Sequence, residues 1–236
     1  MKKYKAILFD MDGTLIPMDM DEFTADYFKR LCVKLSGYHI DSKTLIAAVW
    51  AGSNAMVKND GRVNNETVFW EEFEKLAGCD SVDIARDCLD FYSNEFNGVK
   101  NVCGDNPLAK KAVQLAHDKA EKVVLATSPI FPYPAQITRL GWVDLEEKDF
   151  DLITSFESDY YCKPNPKYYL SICERIGVAP EDCLMIGNDE MDDMCGATEA
   201  GIDCYLVTDS LIPSDKYHFD GPRGSFLDLI ELLKKM

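Results

Sequence analysis

The sequence predicts an α/β protein: a three-layer Rossmann-like core with a parallel sheet and an inserted all-helical cap domain. Short apolar runs without alternation, typical of strands buried on both faces, alternate with helical patterns in the second half of the chain. The first such run, residues 6–9, is instead followed by helical periodicity as far as about residue 98. Because this interruption indicates an insertion, we expect a core over residues 1–16 and 99–236 and a helical cap over 17–98.

Four helices are predicted in the cap. The first has an apolar residue at every fourth position, namely Phe23, Tyr27, Leu31 and Leu35. Asn65 is the expected N-cap of the third helix. Residues 52–61 are rich in turn formers and predict a loop, either facing a substrate or lying plainly on the surface. The aromatic residues Trp50, Phe69 and Trp70 are expected to fill the interior of the cap, with contact to a substrate as the alternative.

The core elements follow in alternation. We predict strands at residues 123–126, 152–153, 183–186 and 204–207, and helices beginning at Pro107, at Ile137, after Pro166, near Ala197 and at Ser225. Ser225 and Asp228 resemble a capping box for the last helix. The polar segment 209–224 is expected to be a flexible loop. At least five strands between helices require a parallel sheet with right-handed crossovers.

Charge and cysteine usage exclude several classes of partner. With 25 basic and 41 acidic residues the net charge is −16, so the basic patch that nucleic acid or an anionic membrane needs is not expected. The nine cysteines have no paired spacing, which favours reduced thiols in a cytoplasmic protein over disulfides or a zinc site. Neither a signal peptide nor a membrane-spanning apolar run is expected.

Polar side chains follow the predicted strands where each strand ends. They are Asp10 and Asp12 after the first, Thr127 and Ser128 after the second, Lys163 after the third, and Asn188, Asp189 and Asp193 after the fourth. In a parallel sheet these ends share one edge, where ligands collect. Carboxylate oxygens suit Mg²⁺, and lysine and hydroxyl groups suit phosphate oxygens. The sequence therefore predicts a site for a divalent cation and a phosphate group.

Each of these features alone also has an ordinary structural explanation. Residues 127–129 are compatible with a turn, Lys163 with a solvated loop, and the acids from Asp189 to Asp193 with the start of a helix. It is their joint occurrence at strand ends that favours function. The sequence contains no Walker A motif, no dinucleotide fingerprint after a strand, and no serine hydrolase elbow.

In this order the motifs resemble those of the haloacid dehalogenase (HAD) superfamily of phosphatases and phosphotransferases. Residues 10–14 read DMDGT and match its first motif DxDGT, residues 124–128 match the second, Lys163 and Pro164 the third, and residues 187–193 the acidic fourth. The resemblance extends from residue 4 to about 208 and includes a helical cap inserted after the first motif.

The resemblance implies a magnesium-dependent hydrolase that removes phosphate from a small phosphorylated metabolite. Asp10 would be the nucleophile and form an aspartyl-phosphate, and Asp12 would serve as acid and then as base. Thr127, Ser128 and Lys163 would bind phosphate oxygens. Mg²⁺ would be held by Asp10, by the backbone carbonyl of Asp12 and by the fourth motif, which contains Asp193. There Asn188 stands where the family often has Asp, so Asp189 is the favoured third ligand and Asn188 the alternative.

Other functions on this fold make different predictions. The dehalogenases that resemble this chain lack an acid at the position of Asp12, and phosphonate hydrolases need a cap lysine, for which Lys43 and Lys58 are the candidates. A sugar phosphomutase would retain the same motifs and is the main alternative. A non-catalytic binding protein on this fold would have a broken set of motifs, whereas the acids and the lysine are intact here.

Overall fold

A computed structural model describes residues 2–236 and contains one parallel sheet of six strands. The strands are β1 (Ala6–Phe9), β2 (Lys122–Leu125), β3 (Leu152–Ile153), β4 (Cys183–Gly187), β5 (Asp203–Val207) and β6 (Arg223–Gly224), in the spatial order β3-β2-β1-β4-β5-β6. The predicted fold class is therefore confirmed. The sixth strand lies inside the segment expected to be a loop. It was missed because two residues at an exposed sheet edge, pairing with Leu206 and Val207, carry no apolar pattern.

The nine α-helices of the described residues form the two outer layers of the core and the insertion. They are α1 (Met20–Lys34), α2 (Ser42–Val57), α3 (Asn65–Ala77), α4 (Val82–Ser93), α5 (Ala109–His117), α6 (Tyr133–Leu140), α7 (Pro166–Ile176), α8 (Gly196–Glu199) and α9 (Phe226–Lys235). Helices α1–α4 and a 3₁₀ segment, Glu95–Val102, are inserted between β1 and α5. The domain boundaries proposed from the sequence stay a prediction.

Strand β1 lies at the centre of the sheet, and all four of its residues are fully buried. Ile7 and Phe9 pack into a cluster with residues of α5, α6, α9 and the cap, whereas Ala6 and Leu8 pack with α7 and α8. Because successive side chains of a strand point to opposite faces, an unalternated apolar run is what a strand covered on both sides requires.

Several element boundaries differ from the sequence-based predictions. Helix α2 continues through residues 52–57, which were expected to form a loop. Gly52 is buried there, and a Cβ at this position would lie 2.5 Å from the ring of Phe69, so glycine permits α2 and α3 to pack closely. Asn64, not Asn65, caps α3 through a hydrogen bond from Thr67 N to its Oδ1.

Two further helix starts are corrected by the structure. Helix α5 begins at Ala109 and not at Pro107, because residues 107–108 form a turn. Helix α6 begins at Tyr133, ahead of the expected Ile137, with a proline in its first turn. The capping box of Ser225 and Asp228 at the start of α9 is confirmed.

All nine cysteines are free, and five of them are buried. Among residues 2–236, no helix combines the length and the apolar character needed to cross a membrane.

Candidate active site

The carboxyl ends of β1, β2 and β4 bring the first, second and fourth motifs together. Phe9 is in register with Leu125 on one side and with Ile186 on the other. The ladder continues one residue further, because Asp10 N donates to Ile186 O at 2.9 Å and Ala126 N donates to Phe9 O at 2.7 Å. The polar residues that follow these strands therefore lie at one edge of the sheet, where a parallel α/β fold binds its ligands.

A buried ammonium group joins two carboxylates at this edge. Lys163, only 2% exposed, donates to Asp10 Oδ1 at 2.7 Å and to Asp193 Oδ1 at 2.6 Å. The other oxygen of Asp10, Oδ2, accepts from the hydroxyl of Thr14 at 3.0 Å. Two carboxylates share a single cation here, so the cluster is short of positive charge in a place where water is largely excluded.

The protonation of this cluster follows from burial and from the neighbouring charges. Burial, reinforced by the carboxylates of Asp193 and Asp12, raises the pKa of Asp10 to about 7 although Lys163 opposes the shift. Burial alone would lower the pKa of Lys163, but Asp10 and Asp193 outweigh it and hold this pKa well above its usual value. Lys163 is thus an ammonium at neutral pH, and an additional cation near Asp10 would favour its ionised form.

The turn after Asp12 requires glycine for two reasons. Gly13 has φ +86°, in the left-handed region that side chains disfavour, and its N–H donates to Ile16 O at 2.7 Å. A Cβ at Gly13 would also lie 2.2 Å from Asn188 Nδ2. The close approach of the first and fourth motifs therefore depends on the absence of a side chain at this position.

In the fourth motif, the carboxylates of Asp193 and Asp189 accept hydrogen bonds from backbone N–H groups. Asp193 Oδ2 accepts from the backbone N–H groups of Asn188 at 2.9 Å and Asp189 at 3.0 Å. Asp189 Oδ1 accepts from Met191 N at 2.7 Å and Asp192 N at 2.8 Å, and so caps the π-helical turn Glu190–Cys195. Both residues thus hold the backbone of the motif in place.

Asn188 is linked to Asp10 through the hydroxyl of Thr14. Its Oδ1 accepts from Thr14 Oγ1 at 2.9 Å, and its Nδ2 donates to Ser210 O at 2.7 Å, which orients the amide. A hydroxyl carries one proton and cannot donate fully to both Asp10 and Asn188. The two oxygens are hard ligands left with less than full hydrogen bonding, and they fit the preference of Mg²⁺.

The candidate metal ligands, an Asp10 carboxylate oxygen and the Asn188 amide oxygen, are not a cluster of acidic side chains. No group of three His, Cys, Asp or Glu side chains within residues 2–236 is arranged to hold a metal ion. A cation at this edge would depend on one carboxylate, one amide oxygen and backbone carbonyl groups, together with water or a ligand.

The residues predicted to bind phosphate lie on two segments beside Asp10. Thr127 is buried beyond the end of β2, and its carbonyl accepts from the hydroxyls of Thr154 at 2.7 Å and Tyr168 at 2.8 Å. Ser128 is half-buried next to it. These bonds hold the backbone of the second motif, and Lys163 approaches from the segment before α7.

An arginine that the sequence did not mark holds the second acid of the first motif. Arg139 on α6 is fully buried, and its Nη1 donates to Asp12 Oδ2. Its Nη2 donates to Gln136 Oε1, and its guanidinium carbon lies 4.5 Å from the ring centre of Phe131. The sequence signal was only an arginine within a short amphipathic helix, which is usually a surface residue.

The cap contacts the core directly beside the motifs. Asn65, the first residue of α3, is fully buried and donates through Nδ2 to Pro129 O at 3.3 Å and to Cys162 Sγ at 3.4 Å. Its backbone N–H donates to Asp159 O at 2.9 Å. Asn65 thus joins the cap to the residues that directly follow the second motif and precede Lys163.

Two cavities lie near the site. An open cleft of about 400 Å³ is lined by Asp12, Gly13 and Asn188 and by residues of α1 and of segment 210–212. A more enclosed apolar cavity of about 120 Å³ lies between the cap helices and residues 130–132, and Trp50, Phe69 and Trp70 are part of its wall. The expectation that Trp50 fills the interior of the cap is wrong, because this residue is 49% exposed, whereas Phe69 is buried. Asp10, Asp12 and Lys163 do not line the apolar cavity, so it is not the place of the chemistry.

The chain is similar to known phosphatases in sequence and to a solved structure in fold. The phosphorylated carbohydrates phosphatase of Thermotoga maritima is 26% identical over 209 residues, which are 88% of this chain and 87% of that protein. The phospholysine phosphohistidine inorganic pyrophosphate phosphatase of Xenopus laevis is 36% identical over 72 residues, and the match spans only 27% of that protein. Among solved structures, the putative HAD-hydrolase YfnB from Bacillus subtilis, bound to magnesium, superposes with a TM-score of 0.59 at 19% identity, covering 98% of this chain and 99% of that one.

The family comparison covers most of the chain, including all four motifs. Residues 4–201 match the family of haloacid dehalogenase-like hydrolases. The match begins just before β1 and ends after α8, so it includes the inserted helices and the core elements as far as α8. The protein therefore belongs to the haloacid dehalogenase-like hydrolases.

Proposed function

We propose that the protein is a magnesium-dependent phosphatase that releases phosphate from a small phosphorylated metabolite through an aspartyl-phosphate on Asp10. The observation that carries the proposal is the buried contact of 2.7 Å between Asp10 Oδ1 and Lys163 Nζ, with Thr14 on the other oxygen. This arrangement orients a carboxylate nucleophile next to a cation that would also attract phosphate oxygens. The Thermotoga maritima relative, a phosphorylated carbohydrates phosphatase, supports a phosphate ester as substrate.

The reaction proceeds in two displacements. Asp10 attacks phosphorus with one carboxylate oxygen, and the bond to the leaving oxygen breaks as Asp12 donates a proton to it. Water then attacks the phosphorus of the aspartyl-phosphate while Asp12 accepts the water proton, and the carboxylate of Asp10 departs. Inorganic phosphate and the free enzyme result, so the proton lent by Asp12 is returned in the second displacement.

The other polar residues bind and orient the substrate. Lys163 and the hydroxyls of Thr127 and Ser128 hold the non-reacting phosphate oxygens. Asp10, the backbone carbonyl of Asp12 and the amide oxygen of Asn188 would hold Mg²⁺, and we favour Asn188 over Asp189 because the Asp189 carboxylate already caps a helical turn. When bound, Mg²⁺ supplies the positive charge that lets carboxylates and phosphate approach each other. The free cysteines favour a reducing compartment such as the cytoplasm.

The test is substitution of the nucleophile. We expect Asp10→Asn to abolish release of inorganic phosphate from a panel of phosphate esters, assayed with and without Mg²⁺. The thermal unfolding midpoint should not fall, because the substitution removes a carboxylate whose ionisation is opposed by burial. Metal-dependent phosphate release that persists in this variant would contradict the proposed mechanism. Ester isomerisation by the unmodified protein without free phosphate would instead indicate a phosphomutase.

A further inference from the structure

We infer that Arg139 is a positioning residue for the proton transfers. Its guanidinium binds Oδ2 of Asp12, so Oδ1 is left as the oxygen that donates and accepts the proton. The inference rests on the proposed phosphatase function, in which Asp12 is the acid and base. Arg139 belongs to α6, outside the four motifs, and neither the comparisons nor the motif pattern gives it a role.

The orientation of Arg139 is determined by contacts on every side. Its Nε donates to Ala135 O at 3.3 Å, its Nη2 donates to Gln136 Oε1, and its planar face lies over Phe131. Gln136 is itself fully buried, and its Nε2 donates to Thr154 O at 3.2 Å on the segment after β3. These contacts fix the orientation of the guanidinium independently of Asp12. One of its N–H groups therefore points at the Asp12 carboxylate in a fixed direction.

The Asp12 carboxylate is correspondingly asymmetric. Oδ2 accepts from Arg139, whereas Oδ1 is buried without a hydrogen-bond partner, and no other buried side-chain nitrogen or oxygen in residues 2–236 shares this condition. A buried acceptor left unpaired is costly and therefore uncommon in a native structure. The O–H of a departing alcohol or of an attacking water would supply the missing partner.

This asymmetry fits both displacements. In the first, the proton leaves Oδ1 for the leaving oxygen, and the resulting carboxylate keeps its contact with the cation through Oδ2. In the second, Oδ1 takes the proton of the water that attacks phosphorus. Arg139 remains a full cation throughout and exchanges no proton. Direct binding of phosphate by Arg139 is disfavoured, because its side chain is fully buried and already bonded to Asp12, Gln136 and Ala135.

The experiment compares esters with poor and good leaving groups. Arg139→Lys and Arg139→Ala are assayed with glycerol phosphate, an alkyl ester, and with p-nitrophenyl phosphate, whose phenolate departs without help. We measure kcat/KM, which reports the steps up to departure of the alcohol. We expect kcat/KM to fall by about 30-fold or more for the alkyl ester and by less than about threefold for the aryl ester, since general acid catalysis contributes roughly 10²–10⁴. A purely structural role would lower both values equally.

Two further variants keep the inference falsifiable if Arg139→Ala does not fold. Gln136→Leu removes one anchor and keeps the arginine, so we expect the same selective loss for the alkyl ester at a smaller size. In the background of Asp12→Asn, Arg139→Lys should cause no further loss, because Arg139 acts through Asp12. Arg30→Ala, which removes the Arg30–Asp26 pair of α1, is the matched control and should leave both kcat/KM values unchanged.

The outcomes separate this inference from the proposed function. If the unmodified protein hydrolyses both esters and the Arg139 variants lose activity equally on both, or if their losses add to that of Asp12→Asn, the positioning role is overturned and the phosphatase stands. If the unmodified protein releases phosphate from neither ester with Mg²⁺ present, the proposed function and the role built on it both fall.

Discussion

The Nζ of Lys163 lies 2.7 Å from Oδ1 of Asp10, and both side chains are buried at the centre of the carboxyl-end edge of the sheet. The same ammonium lies 2.6 Å from Asp193 Oδ1. A carboxylate is costly to bury unless it is paired, and here two depend on one partner. Lys163 thus contributes both to the stability of the motif edge and to the proposed chemistry.

Substituting Lys163 by Met should therefore destabilise the protein as well as inactivate it. Without the ammonium, Asp10 and Asp193 face each other unpaired, and breaking a buried ion pair from one side costs roughly 3–5 kcal/mol. We expect a loss of that size in the free energy of unfolding, measured by urea denaturation at pH 7 without Mg²⁺. Lys167→Met, at an exposed position of α7, is the control. A change for Lys163→Met no larger than the control value would contradict the argument.

Magnesium binding should depend on Asn188 more than on Asp189. A ligand at 100 times its dissociation constant stabilises the folded state by about 2.7 kcal/mol, which appears as a higher thermal midpoint. We expect Asn188→Ala to lose this Mg²⁺-dependent shift, and Asn188→Asp to reach it at lower Mg²⁺ concentrations because a carboxylate binds the ion more strongly.

Asp189→Ala is the matched variant for this experiment. It should lower the midpoint without Mg²⁺, since loss of an N-cap costs about 0.5–2 kcal/mol, and should keep the Mg²⁺-dependent shift. The reverse pattern, in which Asp189→Ala abolishes the shift and Asn188→Ala retains it, would support Asp189, the ligand favoured from the sequence.

The attachment of the cap to the core should depend on Asn65. Asn65→Ala removes the donors to Pro129 O and Cys162 Sγ and the acceptor of the 2.9 Å bond from Asn59 Nδ2. Leaving buried polar groups unpaired costs about 1–3 kcal/mol. We expect a loss in that range and faster hydrogen exchange at the start of α3, measured by mass spectrometry. Asn94→Ala, at an exposed position, is the control, and equal exchange in both variants would count against this role.

The segment 209–224 should lose an anchor in acid. Burial would raise the pKa of Glu190, but its hydrogen bonds from Ser214 N and Phe219 N, helped by His218 and Arg223, hold this pKa below its usual value. The stability that Glu190 contributes is therefore present above its unfolded pKa of about 4.3 and is lost as the pH falls through the lower folded pKa.

The measurement compares Glu190→Gln with the unmodified protein in urea. We expect the variant to be less stable by about 1–3 kcal/mol at pH 5.5, because hydrogen bonds to a charged acceptor are lost. This difference should be smaller at pH 3.5, below the unfolded pKa of about 4.3, because the stability that the charge contributes is already decreasing there. Glu71→Gln, at an exposed position, should show little difference at either pH. A difference that grows in acid would show that the sign of the pKa shift is wrong.

Local patterns in the sequence accounted for most of the fold. The buried run 6–9 predicted β1 because a strand covered on both faces has no reason to alternate. The capping box at Ser225 likewise depends on residues three positions apart, which the chain itself brings together. By contrast, residues 52–57 were misassigned because Gly52 counted as a turn former, whereas its value lies in the contact with Phe69 on another helix.

The sequence by itself determined which residue types follow each buried strand, and since parallel strands share an edge, it determined that Asp10, Thr127, Lys163 and the fourth motif would be neighbours. Only the tertiary structure decided how the oxygens of these residues are divided. In the folded protein, Asp189 caps a helical turn and Asn188 accepts a hydrogen bond from Thr14. Arg139 of α6 donates to Asp12, which lies 127 positions away in the chain. Strand ends obey a periodicity that a sequence displays, whereas a hydrogen bond between distant side chains depends on packing that exists only once the chain has folded.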